Sequence, residues 1–166
     1  MQRFRFYDTD ATGQEEYDIS GTQYYELLHT CFKYCTTVAV IVFPWFSGSL
    51  ELWEDYRIPI NENVVSVFSH YGASLLENEG RTDSYEIRHY KLDALLQKKI
   101  LEHTDRMFNW TSAWGNNNPD DISFFRKDGS VFFSSIIHEG ECTLFPKANE
   151  DVEGIVTSGN WIKLPD

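Results

Sequence analysis

The chain has 166 residues, of which 42% are hydrophobic and 16% aromatic, so it can bury one ordinary core and is not expected to be disordered throughout. Its 26 acidic and 14 basic side chains give a formal net charge of -12, which disfavours binding to nucleic acid or to anionic membranes. This charge favours a positively charged protein, a metal ion or a cationic ligand as the partner.

Nothing in the sequence predicts export or membrane insertion. The longest apolar run, 38–46, is about half the length of a membrane span and contains Pro44. The first residues hold no apolar stretch like that of a secretory signal. Three cysteines are too few and too unevenly placed for a disulfide framework. We therefore expect a cytoplasmic protein with a single domain over 1–166.

The N-terminal part is predicted to form a strand and then a helix. Aromatic and arginine side chains alternate over 3–8, which is typical of a half-exposed strand. Ser20 and Gln23 have capping-box spacing, which indicates a helix start. Apolar side chains recur behind them at helical spacing and predict a helix over 21–35.

The middle of the chain is predicted to be mostly β structure. β-Branched side chains indicate a buried strand over 36–43. The region 50–62 fits either a short helix or an edge strand. Beyond it we expect strands over 64–68 and 85–89, with a loop over 72–83 between them.

The C-terminal half begins with a second helix, predicted over 93–108 from its apolar stripe. The Asp128-Gly129 turn then predicts a hairpin of strands over 122–127 and 130–138. The remaining elements are a strand over 141–145, a short helix over 151–157 and a tail, 161–164, that docks onto the core. Together the elements predict an α+β fold in which two main helices pack on a largely antiparallel sheet.

Four soft metal ligands recur in pairs at four-residue spacing. Cys31 and Cys35 lie on one face of the first predicted helix, and His138 and Cys142 lie on the C-terminal strands. If that helix packs on those strands, the four side chains can form a tetrahedral zinc site. The favoured alternative is that the thiols are buried, because free cysteine behaves as a small hydrophobic side chain. We therefore expect no cofactor.

A second candidate site is His138 with two neighbouring carboxylates, Glu139 and Glu141. A histidine beside carboxylates can act as a general base or a metal ligand. A bulge at Gly140 would turn these side chains outward. The favoured alternative is a polar strand end with a glycine turn. Because common motifs of zinc proteases, serine hydrolases and phosphate-binding loops are absent, an enzyme is the less favoured interpretation.

Acidic side chains are concentrated near the N-terminus. Between Tyr7 and Phe32 there are six of them and neither Lys nor Arg, and tyrosines are interleaved with them. Such a surface suits a basic protein partner, because charge speeds the encounter and aromatic rings anchor it. The alternative is a solvated loop and helix face. The candidate partner-binding residues are Asp8, Asp10, Glu15, Glu16, Tyr17 and Asp18.

Two regions of the sequence carry a resemblance to known proteins. They are Phe4-Arg5-Phe6-Tyr7 through Tyr17-Asp18-Ile19-Ser20, and Asp128-Gly129-Ser130-Val131-Phe132-Phe133 through His138-Glu139-Gly140-Glu141-Cys142. Together they resemble a family of small uncharacterised bacterial proteins, mostly from Gram-positive species, some of which are called stage III sporulation protein AH. The resemblance implies a bacterial cytosolic origin and assigns no catalytic residue.

In size and composition the chain is also similar to the immunity proteins of polymorphic toxin systems, which bind and neutralise a cognate toxin. The leading hypothesis is therefore an acidic cytosolic protein-binding module, with a toxin-neutralising immunity protein as the example. The first alternative is a small metal-dependent or acid–base enzyme centred on His138. The second is a small-ligand binder that uses the surplus of aromatic side chains.

Overall fold

The computed structural model describes residues 2–59 and 85–165. Within these ranges eight strands form one sheet, and every pair of neighbouring strands is antiparallel. The strands are β1 (Phe4–Tyr7), β2 (Thr37–Val42), β3 (Arg57–Ile58), β4 (Glu86–Lys91), β5 (Asp120–Phe125), β6 (Val131–Ile136), β7 (Glu141–Leu144) and β8 (Trp161–Lys163). Their order across the sheet is β3-β4-β2-β5-β6-β7-β1-β8, so β8 lies at one edge beside β1.

Helices occupy a smaller part of the described chain. The α-helices are α1 (Gly21–Tyr34), α2 (Ala94–His103) and α3 (Glu153–Thr157), and short 3-10 helices span Glu51–Tyr56, Met107–Asn109 and Ile137–Glu139. The expected α+β class is confirmed. The sheet, rather than a pair of main helices, is the dominant feature of the fold.

The described strands agree well with the sequence patterns. The Asp128-Gly129 turn joins β5 to β6 as predicted, and Gly129 adopts a φ of +80°, which favours glycine. The ambiguous region after residue 50 contains both expected forms, a 3-10 helix and the short strand β3. The predicted strand over 64–68 and the loop over 72–83 lie outside the described residues.

Helix α1 begins where it was expected but without the predicted cap. Ser20 is the N-cap residue, yet its side chain makes no capping hydrogen bond. The side-chain amide of Gln23 donates instead to the backbone carbonyl of Ser158. Gly21 has a φ of +55° and donates its N–H to the carbonyl of Asp105 at 3.1 Å, so a tertiary contact fixes the helix start. The capping-box prediction is therefore wrong.

Helix α2 is shorter than predicted. The Asp93 carboxylate caps its start by accepting hydrogen bonds from two first-turn amides, both at 3.0 Å. The helix ends at His103, because the chain then turns to place the Met107 N–H 2.9 Å from the carbonyl of Ile19. Leu95 is 62% exposed, so it does not belong to the apolar face of this helix, whose buried residues are Leu96 and Ile100.

The main core lies between one face of the sheet and the helices. Val38 and Val40 of β2 join this cluster, together with apolar side chains of α1 and α2. Ala39 and Ile41 alternate with them and belong to a smaller cluster on the other face. No described helix combines the length and the apolar character that a membrane crossing requires.

Candidate functional site

A cleft of about 600 Å³ opens between the N-terminal loop and the segment that leads into β8. We call residues 8–18 the acidic loop and this opening the aromatic cleft. Three aromatic side chains line the cleft, from Tyr7, Tyr17 and Trp161, together with the aliphatic Ile162. Asp10 contributes a carboxylate to the same lining. The cleft therefore combines aromatic surface with negative charge.

The pairing of β1 with β8 builds one wall of the cleft. Phe6 lies opposite Trp161 in the ladder, and their ring centroids are 5.5 Å apart. Because Phe6 is buried, this contact fixes the indole ring against the core. Ile162 points away from that contact and is 55% exposed.

Asp10 organises the acidic loop from within. Its carboxylate accepts hydrogen bonds from the Thr12 hydroxyl at 2.7 Å and from the backbone amides of Gln14 and Glu15 at 2.8 and 3.3 Å. These hydrogen bonds, chiefly that from Thr12, lower the pKa of Asp10. Asp10 therefore shapes the surface as well as adding charge to it.

The base of the acidic loop is attached to the turn before β7. The Asp8 N–H donates to the carbonyl of Gly140 at 2.8 Å, and the Tyr17 N–H donates to the carbonyl of Asp8 at 2.6 Å. Gly140 has a φ of +67°, and a Cβ there would clash with the Asp8 carboxylate. Gly140 ends a 3-10 helix, so the structure has the favoured glycine turn in place of a bulge.

Glu15 and Glu16 carry the exposed charge of the loop. The Tyr17 hydroxyl donates to Glu15 Oε2 at 2.5 Å, and this hydrogen bond raises the pKa of Tyr17. The Glu16 side chain is exposed and has no hydrogen-bond or ion-pair partner in the described ranges. Both carboxylates are accessible to a partner.

A second recess of about 420 Å³ continues from the aromatic cleft, with which it shares Tyr17, Gly159 and Asn160. Glu16 and Asp18 lie in its wall. Burial raises the pKa of Asp18, although the Phe108 backbone amide and the nearby Arg106 act in the opposite direction. Asp18 is therefore less accessible than the exposed Glu15 and Glu16.

The three residues of the His138 candidate lie between the end of β6 and the start of β7. His138 Nε2 lies 3.8 Å from Glu139 Oε1, and both side chains are about half exposed on the 3-10 helix 137–139. Glu141 Oε2 is 3.5 Å from Arg5 Nη1 on the neighbouring strand. Neither the His138 imidazole nor the carboxylates of Glu139 and Glu141 line the aromatic cleft or the recess beside it.

The proposed zinc ligands are not assembled into a metal site. Cys31, Cys35 and Cys142 are buried free thiols, whereas His138 is half exposed. Burial raises the pKa of each thiol, which opposes the thiolate form that zinc requires. In the parts of the chain described here, no group of three or more His, Cys, Asp or Glu side chains is arranged to hold a metal. The geometry supports the alternative of buried thiols.

Two features of the structure were not predicted from the sequence. The first is the place of Trp161 and Ile162 in the cleft, for which the only sequence signal was a tail expected to dock onto the core. The second is Asp121, which lies outside the cleft lining, is 1% exposed and has a backbone φ of +52°. An Asp-Asp pair at the start of an otherwise apolar strand was the available signal.

No family model, curated protein or solved structure matches this chain. The family resemblance noted in the sequence therefore stays a prediction.

Proposed function

We propose that this protein is an acidic cytosolic protein-binding module that recognises a basic protein partner. The observation that carries the proposal is the aromatic cleft, lined by Tyr7, Tyr17 and Trp161 and flanked by the exposed carboxylates of Glu15 and Glu16. Aromatic anchors inside a charged rim are the combination that protein interfaces use for affinity and for rapid encounter.

The order within the acidic loop supports this role. The hydrogen bonds to Asp10 and the attachment of Asp8 to Gly140 hold the loop in one conformation before a partner arrives. A pre-organised surface loses less conformational entropy on binding than a flexible one. A toxin-neutralising immunity protein is the example we favour, since such a protein must hold one cognate partner tightly.

Capture from a lysate of the source organism tests the proposal. The bait is the wild-type protein or a variant with Glu15→Lys and Glu16→Lys, and captured proteins are identified by mass spectrometry at low and moderate salt. We expect the wild-type protein to enrich one basic protein that the variant does not retain, because the variant reverses the accessible charge.

The matched control is Glu51→Lys with Asp55→Lys, which reverses two exposed carboxylates near β3, at the opposite edge of the sheet, and changes the net charge equally. This control should capture the same basic protein as the wild type. If the double variant and the wild type enrich the same proteins to the same extent, the acidic loop is not the binding surface.

A further inference from the structure

We infer that the aromatic cleft holds an arginine side chain of the basic partner, packed against the aromatic side chains of Tyr17 and Trp161. The inference rests on the proposed function and identifies the contact that anchors the partner. A guanidinium is planar, always charged and weakly hydrated, so it is better suited than an ammonium to an aromatic wall.

The lining of the cleft favours a cation. Aromatic residues line it, whose rings carry negative π faces, and Asp10 adds a full negative charge. The residues that line the cleft include no lysine and no arginine. The lining itself therefore adds no positive charge, although the Arg5 guanidinium contacts the Tyr7 ring from outside it.

One ring of the cleft already holds a guanidinium in this chain. The Arg5 guanidinium carbon lies 5.9 Å from the centroid of the Tyr7 ring, and Arg5 Nη1 lies 3.4 Å from the Tyr7 hydroxyl. This contact shows that Tyr7 already takes part in a cation–aromatic contact. An incoming arginine therefore has Tyr17 and Trp161 as its aromatic partners.

Glu15 strengthens the attraction through Tyr17. Because the Tyr17 hydroxyl donates to the Glu15 carboxylate, electron density is pushed towards the phenol oxygen and the ring. A more electron-rich ring attracts a cation more strongly. The same hydrogen bond fixes the orientation of the ring at the wall of the cleft. Glu15 is thus a positioning residue for this contact.

Charge also decides between the possible occupants. A second copy of this chain brings a formal net charge of -12 to the same surface and is repelled by it. A purely apolar side chain would leave Asp10 at the mouth without a charged partner. A basic peptide satisfies both the rings and the carboxylates, and a second basic residue can reach Glu16 and Asp18 in the adjoining recess.

The test is a titration with the peptide acetyl-Gly-Arg-Gly-amide, followed by the NMR signal of the Trp161 indole N–H. The comparison peptide replaces arginine with citrulline, which has nearly the same shape and no charge. For the arginine peptide we expect saturable shifts of the Trp161 signal, with a dissociation constant of about 1 mM. The citrulline peptide should bind at least about tenfold more weakly.

Variants locate the binding in the cleft. Tyr17→Leu should weaken binding of the arginine peptide about fivefold, because it removes an aromatic face while keeping an apolar side chain. Tyr17→Phe keeps the ring and tests the part contributed by Glu15, and it covers the case in which the leucine variant does not fold. The control is Tyr25→Leu, an exposed tyrosine of α1 outside the cleft, which should bind like the wild type.

Unchanged Trp161 signals up to about 10 mM peptide, or equal binding of the citrulline peptide, would overturn the inference. If the peptide fails but the lysate partner is still lost from the Glu15/Glu16 variant, the proposed function stands without an arginine anchor. If the peptide binds but the charge reversals leave capture unchanged, the cleft is a cation site and the proposed function fails.

Discussion

The carboxyl group of Asp121 is enclosed at the start of β5, where its two oxygens have different environments. One oxygen accepts a hydrogen bond from the Ile137 N–H at 2.7 Å, and the other has no partner in the described ranges. Burial raises the pKa of this carboxyl to about 7, and the nearby Glu139 adds to the rise despite the hydrogen bond from Ile137. The group is therefore protonated in the folded protein at mildly acidic pH.

This raised pKa predicts a loss of stability as pH rises. In the unfolded chain the carboxyl has an ordinary pKa near 3.8, so the folded state holds the proton more tightly. The stabilisation is fully present below about pH 4 and is lost as pH rises through about 7. It amounts to at most about 4 kcal/mol.

Asp121→Asn tests this, since the amide oxygen can still accept from Ile137 and the side chain stays neutral. Urea unfolding at pH 5 and pH 8 should show that the wild type loses more stability than the variant over this interval. Parallel changes in the free energy of unfolding for the two proteins would contradict the assignment of this titration to Asp121.

Residue-level prediction identified the acidic side chains but not their internal roles. Glu16 and Tyr17 were predicted to bind a partner; they lie at the cleft and its recess, and their binding role stays a prediction. Asp10 was predicted to bind a partner as well, and it also closes the loop through three hydrogen bonds. Composition indicates that a segment is acidic, but the geometry of the loop decides which carboxylates are already engaged.

At the scale of elements, a buried ion pair attaches the β5–β6 hairpin to the segment after β7. Arg126 Nε and Nη2 each lie 2.6 Å from a different carboxylate oxygen of Glu150, and both side chains are less than a tenth exposed. Arg126 also donates to the carbonyl of Phe145 at 2.7 Å. Burial raises the pKa of Glu150, but the hydrogen bonds from Arg126 and Lys147 outweigh it and leave the pKa below its usual value.

Glu150→Gln should destabilise the protein by about 3 kcal/mol, because it leaves the Arg126 charge buried without a counter-ion. Chemical unfolding measures the loss. The control is Lys147→Met, which removes an exposed ion pair with Asp128 and should have little effect. If both variants are equally stable, the Arg126–Glu150 pair does not hold the hairpin to that segment.

Local patterns predicted where elements begin more reliably than where they end. The hairpin at Asp128-Gly129 depends on residues next to each other, and it formed as expected. The end of α2 depends on a hydrogen bond from Met107 to Ile19, which are 88 positions apart, so no local pattern could locate it. The same holds for the missing cap at Ser20, where Gln23 bonds to Ser158 instead.

At the scale of the whole molecule, sheet order creates the candidate site. The acidic loop follows β1, and the cleft exists because β8, from the far end of the chain, pairs with β1 at the sheet edge. The sequence indicated both segments but not their pairing, because strand order is set by long-range contacts. Trp161 could therefore not be assigned to the same site as Tyr17 in advance.

The rate of association with the captured basic partner, measured at low and moderate salt, tests the central claim most directly. Charge on the acidic loop should speed the encounter, so Glu15→Lys with Glu16→Lys should slow association at least about tenfold at low salt, and the difference should shrink as salt rises. The control with Glu51→Lys and Asp55→Lys, which changes the net charge equally, should associate much like the wild type. Equal rates and equal salt dependence for the wild type and the double variant would contradict the claim that this acidic surface recognises a basic protein.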